Sequence, residues 1–293
     1  MTSSLPDPGK PLPQLSRRVF VGTVATLGVA TMSGTATAAP TMVTLDRAAG
    51  VARLGGTVHA LGHTGATWVL VAADGSARRT RGLAGADIAD LTATEGVLVA
   101  VGADDRSAPA VWESTDGLSW RRATRLAGVD GHLTAVGAYG GTALAVGARL
   151  TLERAPRQRI VLRRTASGWA TVRAGGLGHT DELAATAVAG GPAGWLLSTV
   201  DATGSLLATS PDGLEWTPDA VQPRLVDAAV RSLSCTGGRV RWVANAMSGS
   251  EGVTGALGTG RRAAPVPADA LAVGVLDGRS YWLAGGHLVS ATV

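Results

Sequence analysis

Four carboxylates of the sequence stand where they could act as general acid and general base. Asp87 and Asp90 come just before one strand-like segment, and Asp181 and Glu182 come just before another. A pair of carboxylates can cleave a glycosidic bond when one protonates the leaving group and the other activates water or attacks the sugar. Paired carboxylates in loops are also commonly solvated turn residues. We therefore treat the four residues as the candidate rim of a functional site, with solvated loops as the alternative.

Other reactive side chains lack the spacing that their chemistry needs. His59 and His63 flank a strand end, where a four-residue spacing gives no shared face for a metal. Cys235 is the single cysteine, so the chain can form no internal disulfide, and its strand context predicts a buried thiol that packs as a small apolar group. The sequence contains no G-x-S-x-G elbow, phosphate loop or C-x-x-C motif. We expect no metal and no cofactor.

The strands that would position these residues are marked by a repeated turn. The motif S-x-D-G-x-x-W occurs at residues 114–120 and again at residues 210–216. Asp-Gly between strand-like runs predicts a hairpin, because glycine adopts positive φ freely and aspartate bonds its own backbone. The serine hydroxyl can bond turn amides, and the tryptophan can pack on a sheet face. The structural residues of the two turns are Ser114, Asp116, Gly117 and Trp120, and Ser210, Asp212, Gly213 and Trp216.

Weaker copies of this turn divide the chain into units. Their turn glycines are Gly75, Gly168 and Gly260, and the spacings along the five turns are 42, 51, 45 and 47 residues. A short apolar strand precedes each turn, and a sixth such strand, Tyr281–Gly285, follows the last turn. Each unit reads as four short strands, which is typical of a β-propeller blade.

These units predict an all-β protein, a six-bladed β-propeller formed by one domain of residues 39–293. The sixth unit is one strand short, and the strand-like run Thr41–Leu45 is predicted to close that blade as its outer strand. Five or seven blades are alternatives if one boundary is misread. A pair of β-sandwiches would also explain short strands at even spacing.

The two intact turns resemble the Asp-box of sialidase-like (BNR-like) β-propeller repeat proteins, with one residue fewer between Asp and Gly. In that family the Asp-box is a structural turn on the outer hairpins, remote from the active centre, so the resemblance implies the fold and not the chemistry. Sialidase activity would need a tyrosine nucleophile paired with a glutamate, and three arginines around a carboxylate. Tyr139 and Tyr281 are the only tyrosines, and the Arg-Ile-Pro motif of the family is absent. We therefore do not expect sialidase activity.

The segment of residues 1–38 resembles a twin-arginine (Tat) signal peptide. Arg17 and Arg18 are followed by Phe20, by a moderately apolar run and by a cleavage motif at Ala36 and Ala38. The run is short for a membrane span, so we expect cleavage after Ala38, with an uncleaved anchor as the alternative. The resemblance implies export of the folded protein, which would be secreted or associated with the cell envelope. Together with the arginine, alanine and glycine bias, it looks like a high-GC actinobacterial protein.

The sequence favours binding over catalysis. We expect an exported, non-catalytic propeller that binds a protein or a glycan through variable loops such as 149–159 and 247–252. We expect a monomer that does not stay in the membrane after signal cleavage. A hydrolase or lyase acting on extracellular polysaccharide is the alternative, and a structural module of a larger envelope assembly is a third interpretation. The formal net charge is +4, and it falls to about +2 without residues 1–38, which is too small to indicate nucleic acid binding.

Overall fold

A computed structural model shows that the protein is formed from β-strands. The structure describes residues 43–65, 67–73, 75–149, 159–176, 184–218, 225–236, 239–257 and 260–292. These ranges contain 24 strands and no helix, so they offer no helix that is long and apolar enough to cross a membrane. The signal-peptide residues Arg17, Arg18, Phe20, Ala36 and Ala38 lie outside the described residues, and the export signal stays a prediction.

Six sheets are formed in order along the described chain, each from consecutive antiparallel strands. The first comprises β1 (Arg47–Leu54), β2 (Thr57–Thr64), β3 (Thr67–Ala72) and β4 (Ala77–Arg79). The second comprises β5 (Asp87–Thr94), β6 (Val97–Ala103), β7 (Pro109–Ser114) and β8 (Arg121–Arg125). The third comprises β9 (Gly131–Tyr139), β10 (Thr142–Arg149), β11 (Arg159–Thr165) and β12 (Gly168–Thr171).

The remaining sheets repeat the pattern with two variations. The fourth comprises β13 (Ala184–Gly191), β14 (Gly194–Asp201), β15 (Gly204–Ser210) and β16 (Thr217–Pro218), and the short β17 (Leu225–Val226) also pairs with β15. The fifth comprises β18 (Ala228–Thr236), β19 (Arg239–Ala246), β20 (Gly252–Ala256) and β21 (Gly260–Ala263). The sixth has three strands, β22 (Leu271–Leu276), β23 (Arg279–Ala284) and β24 (His287–Thr292).

The six sheets are the blades of a propeller. The first strand of each blade contacts the first strand of the next, and β22 of the sixth blade returns to β1 of the first, which closes the ring. Apolar side chains pack in six clusters in the described part of the chain, one at each junction between neighbouring blades. Strand β6 shows why its apolar run is continuous: Leu98 and Ala100 face the first blade, while Val99 and Val101 face the third. The prediction of an all-β, six-bladed propeller is confirmed.

The closure of the ring differs in detail from the prediction. Val43–Leu45 forms no strand, so in the described residues the sixth sheet keeps three strands. The backbone N–H of Leu45 donates one hydrogen bond to the carbonyl oxygen of Gly286, at 2.7 Å, and its side chain is buried in the cluster between the sixth and first blades. A side chain at Gly62 would collide with Leu45, so glycine makes room for it. Residues 43–45 therefore contribute to ring closure through the buried side chain of Leu45, while residues 41 and 42 of the predicted closing strand lie outside the described residues.

The repeated turn of the second blade is held by its own side chains. Asp116 Oδ1 accepts hydrogen bonds from the Oγ of Ser114 (2.9 Å) and from the backbone N–H groups of Leu118 (2.8 Å) and Ser119 (2.7 Å). Ser114 Oγ accepts a further bond from the N–H of Gly117, whose φ is 73°. These bonds lower the pKa of Asp116 to about 2, the backbone amides contributing most. The fourth blade repeats the arrangement with Ser210, Asp212, Gly213, Leu214 and Glu215.

Each of these two turns also binds the segment that enters its blade. The N–H of Arg81 donates to the carbonyl of Leu118 (2.7 Å), and the N–H of Trp120 donates to the carbonyl of Arg81 (2.9 Å). Gly175 makes the same pair of bonds with Leu214 and Trp216, at 2.8 and 2.9 Å. The turn thus fixes the incoming linker to the outer part of the blade.

Candidate functional site

The six innermost strands line a central channel, and each carries a β-bulge where it pairs with the second strand of its blade. A bulge adds a residue that has no partner in the adjoining strand, and it redirects the neighbouring side chains. The bulged residues form a ring of Ala49, Ala89, Thr134, Thr186, Arg231 and Val273. Arg231 is the single charged member of this ring.

The side chain of Arg231 reaches across the channel from the fifth blade. Its Nη2 donates to the carbonyl oxygen of Ala49 at 3.1 Å and to that of Ala89, which are the bulged residues of the first and second blades. In a ring of six blades, the second blade lies opposite the fifth. The guanidinium therefore spans the channel at the level of the bulged residues. The bulges leave two carbonyl oxygens that accept from Arg231, and the arginine in turn joins segments 182 and 142 residues apart in the chain.

Asp90 follows the bulge of the second blade and lies at the same depth. Its Oδ1 accepts the N–H of Leu91 at 2.8 Å, and its Oδ2 accepts the N–H of Val136, in the third blade, at 2.9 Å. Protein atoms surround the carboxylate group, and the residue also lines the wall of the channel. This desolvation raises the pKa of Asp90 to about 6, against the opposing effects of the Arg231 charge and of the two amides. A carboxyl group with a pKa near neutrality can act as a general acid, but both oxygens of Asp90 are already bound to amides.

A cavity of 270 Å³ fills the channel between the bulges and the ends of the innermost strands. All six innermost strands contribute to its wall, mainly with alanine, valine and glycine, and Asp90 and Ser232 lie at its inner end. Cys235 lines the cavity and packs against Gly191. Burial raises the pKa of the Cys235 thiol to about 11. The thiol therefore stays protonated at neutral pH. It packs against an apolar cluster, but it is half-buried rather than buried as the sequence predicted, because it lines the channel cavity.

The mouth where the innermost strands begin has a charged half. Two residues before the bulge, the first three blades carry Arg47, Asp87 and His132, and the other three carry Ala184, Ala229 and Leu271. Asp87 accepts a hydrogen bond from Nη1 of Arg47, and its Oδ2 lies 3.4 Å from Nε2 of His132. The bond with His132 and the charge and bond of Arg47 hold the pKa of Asp87 well below its usual range, against an opposing effect of burial. Asp87 is thus a paired, ionised carboxylate.

The structure places two of the four candidate rim carboxylates. Asp87 and Asp90 both lie within β5, where a loop was expected, because the strand continues through its bulge. Because the bulge lies between the two residues, Asp87 lies at the mouth of the channel and Asp90 lies deeper, at the level of Arg231. Asp181 and Glu182 lie outside the described residues and stay candidates from the sequence alone.

The two closely spaced histidines lie in one strand. His59 and His63 both lie within β2 rather than on either side of a strand end as the sequence predicts. Four residues of extended chain separate them by about 13 Å. Burial lowers the pKa of His59. The described residues contain no group of three His, Cys, Asp or Glu side chains that could hold a metal ion.

A carboxylate cluster that the sequence analysis did not single out lies in the turn between β6 and β7. The side chain of Asp104 is 3% exposed, and it accepts hydrogen bonds from the N–H groups of Arg106 and Ala108, both at 3.0 Å. Its other oxygen binds Nε of Arg125 and Nη1 of Arg122, the latter at 3.3 Å. Burial raises the pKa of Asp104, but the amides and Arg125 together outweigh this effect and lower it. Asp104 therefore fixes the positions of two guanidinium groups.

A second cluster joins the second and third blades. Glu113 Oε1 accepts bonds from Nε of Arg164 and from Nε1 of Trp169, both at 3.0 Å, while Oε2 accepts Nη2 of Arg121 at 3.1 Å. Each oxygen of Glu113 is occupied, so the cluster acts as a clamp between blades. Arg121 and Arg122 are neighbours in β8 that pair with different carboxylates.

Comparison with known proteins identifies the fold but not a family. No family model and no curated protein matches the chain. A gluconolactonase-like protein of known structure superposes with a TM-score of 0.59 at 12% identity, over 84% of this chain and 88% of that protein. SapL1 lectin in complex with α-methyl fucoside superposes at 0.52 with 12% identity, over 82% and 89% of the two chains. The lectin of Aleuria aurantia, in complex with α-methyl-L-fucoside, superposes at 0.50 with 8% identity, over 83% and 93%. At these identities the likeness concerns the propeller fold alone.

Proposed function

We propose that the protein is a non-catalytic propeller that binds a glycan outside the cell or at its envelope. The observation that carries this proposal is the state of the acidic candidates in the described residues. Asp87 is paired with Arg47 and His132, and both oxygens of Asp90 accept backbone amides. Carboxylates whose oxygens are occupied by protein partners stabilise the propeller, and they are poorly placed to transfer protons to a substrate.

The resemblance in fold to two lectins supports the choice of a glycan over a protein as the ligand. Both superposed lectins are described in complex with an α-methyl fucoside. A propeller offers many junctions between blades where polar side chains can meet a sugar, and the identity of the sugar depends on side chains that a fold comparison does not read.

A polysaccharide hydrolase or lyase is the second candidate, because Asp90 has a pKa of about 6 and borders the 270 Å³ cavity. That pKa would keep a useful fraction protonated near neutral pH. The gluconolactonase-like neighbour shows that the fold comparison does not favour lectins alone.

Two measurements on the same preparation of residues 39–293 test these functions. Fluorescently labelled protein on a glycan array should show saturable binding to a restricted set of glycans, and the same glycans incubated with the protein should be recovered intact. Glycan cleavage that is abolished in Asp90→Asn would overturn the non-catalytic proposal in favour of the hydrolase or lyase. Absence of glycan binding together with stoichiometric co-purification of an envelope protein would favour the structural module.

Export by the twin-arginine route is part of the proposal. Replacing Arg17 and Arg18 together by lysine should retain the protein in the cytoplasm, and the exported wild-type protein should begin at Ala39. An unchanged distribution in the double variant would show that another route is used.

A further inference from the structure

A separate cavity of 220 Å³ lies beside the second blade, under the linker that joins β4 to β5. Gly82, Ala84 and Ala86 of the linker form one side, and Asp104, Asp105, Trp112 and Arg122 of the blade form the other. This cavity is distinct from the channel cavity, and the two have no lining residue in common.

The linker forms a fixed wall because the repeated turn of the second blade holds it. The two backbone bonds between Arg81 and the turn position the segment. Gly82 has a φ of 83°, and a Cβ there would lie 2.0 Å from the carbonyl oxygen of Trp120. Only glycine allows this approach, so the side of the cavity formed by the linker is set by backbone and not by mobile side chains.

Arg122 offers a positioned guanidinium to this cavity. Its Nη1 bonds the buried Asp104, while the arginine side chain as a whole is 49% exposed. Among the described residues the side chain of Arg122 makes no other hydrogen bond, and its backbone pairs with Trp112 in the sheet. The remaining N–H groups can therefore donate to a ligand from a geometry that the protein has already fixed.

Trp112 contributes an indole with an unused donor. The residue is 3% exposed and lines the cavity, and its Nε1 has no hydrogen-bond partner among the described residues. Nε1 of Trp68 donates to Ala86 and that of Trp120 donates to Gly117. Nε1 of Trp242 and of Trp282 are also without a partner among the described residues, but those two tryptophans line neither of the two cavities. A buried indole N–H normally finds a partner, so its position at a cavity wall favours a ligand that accepts a hydrogen bond.

The charges of this cavity favour a neutral polyhydroxyl ligand. Asp104, Asp105 and Arg122 line the cavity, and Arg125 binds Asp104 beside it, so that two carboxylates balance two guanidinium groups. Asp105 is exposed, and its carboxylate can accept hydrogen bonds from hydroxyl groups. A sugar hydroxyl both donates and accepts hydrogen bonds. We propose that this cavity binds one neutral hexose unit of a glycan, with Trp112 and Arg122 as donors and Asp105 as acceptor. The inference rests on the proposed glycan-binding function and assigns its site.

Nuclear magnetic resonance of residues 39–293 tests the site directly. A panel of neutral methyl hexosides and one methyl uronide is titrated while the indole N–H of Trp112, assigned with Trp112→Phe, and the Nε–H of Arg122 are observed. We expect at least one neutral hexoside to shift both signals saturably. Arg122→Met and Asp105→Asn should each weaken the affinity at least tenfold. Arg121→Met, at the neighbouring position of β8, should leave it within twofold, because Arg121 pairs with Glu113 instead.

The outcomes separate the site from the function. Glycan binding that shifts other residues and is unchanged in Arg122→Met and Asp105→Asn would overturn the site and leave the proposed function standing. A clear preference for the uronide would overturn the neutral class of ligand. No shift with any sugar, together with an empty glycan array, would overturn both proposals. If Arg122→Met unfolds because Asp104 loses a partner, the exposed Asp105→Asn variant alone decides the role of the cavity.

Discussion

Asp90 should make the stability of the propeller fall as the pH rises through the range from about 4 to 6. The pKa of Asp90 is about 6 in the folded protein and 3.8 for the free side chain, because burial disfavours the ionised form. One pKa unit corresponds to about 1.4 kcal/mol, so the ionised carboxylate costs the fold about 3 kcal/mol above pH 6. The folded state binds the proton more tightly than the unfolded state, so this cost disappears as the pH falls below the unfolded pKa.

The assay is urea unfolding of the wild type and of Asp90→Asn, followed by tryptophan fluorescence between pH 4 and pH 7.5. The asparagine has one carbonyl oxygen for the two amides of Leu91 and Val136, which adds a penalty that does not depend on pH. The free energy of unfolding of the wild type, relative to the variant, should therefore rise by about 2.4 kcal/mol from pH 7.5 to pH 4, where the unfolded carboxyl is still partly ionised.

Asp116→Asn is the matched control, because the pKa of Asp116 is lowered to about 2 by its turn. Its contribution to stability is present above the unfolded pKa and is lost as the pH falls towards 2, so its effect has the opposite sign. A difference between the wild type and Asp90→Asn that stays constant from pH 4 to pH 7.5 would refute the reasoning about the buried carboxylate.

Three further variants test other contacts, all by urea unfolding at pH 7. Arg231→Met should cost about 1–3 kcal/mol, because two bulge carbonyls lose their donor, and it should raise the pKa of Asp90 further; an unchanged stability would contradict the cross-channel contact. Gly82→Ala should cost about 2 kcal/mol or more through its positive φ and its collision with Trp120, whereas Gly55→Ala, with a positive φ but open space, should cost less. Ser114→Ala should cost about 1 kcal/mol because a turn amide loses its acceptor; an unchanged stability would contradict the role assigned to the hydroxyl.

The propeller fold was predictable because its signals are local. The turn of residues 114–120 pairs adjacent strands, and the run Leu98–Val101 is apolar at every position because both faces of its strand are buried between blades. The turn glycine Gly75 lies between β3 and β4, and Gly168 begins β12 directly after its turn. The described end of the predicted closing strand differed, because residues 43–45 form no strand and Leu45 instead packs its side chain in the junction between the sixth and first blades.

The candidate sites were less predictable, because their residues meet across blades. Asp87 and Asp90 were identified as acidic candidates, but the bulge at Ala89 sends them to different surroundings. Nothing in the local sequence around Arg231 indicates that it reaches the carbonyls of two other blades. The sequence signal for the cavity of the second blade is equally weak, since Trp112 reads as an ordinary strand tryptophan.

The sequence by itself determined the repeated unit and the alternation of strands and turns, and it favoured six blades, because each depends on residues close together in the chain. The tertiary structure decided how the four carboxylates with which the sequence analysis began are used, as far as they are described. Ring closure brings Asp90 against Val136, and Arg231 within reach of Ala49, from 46 and 182 residues away. Desolvation and pairing then set the pKa values of Asp87 and Asp90 in opposite directions. Those effects depend on what surrounds a charge in three dimensions, which no spacing in the sequence records.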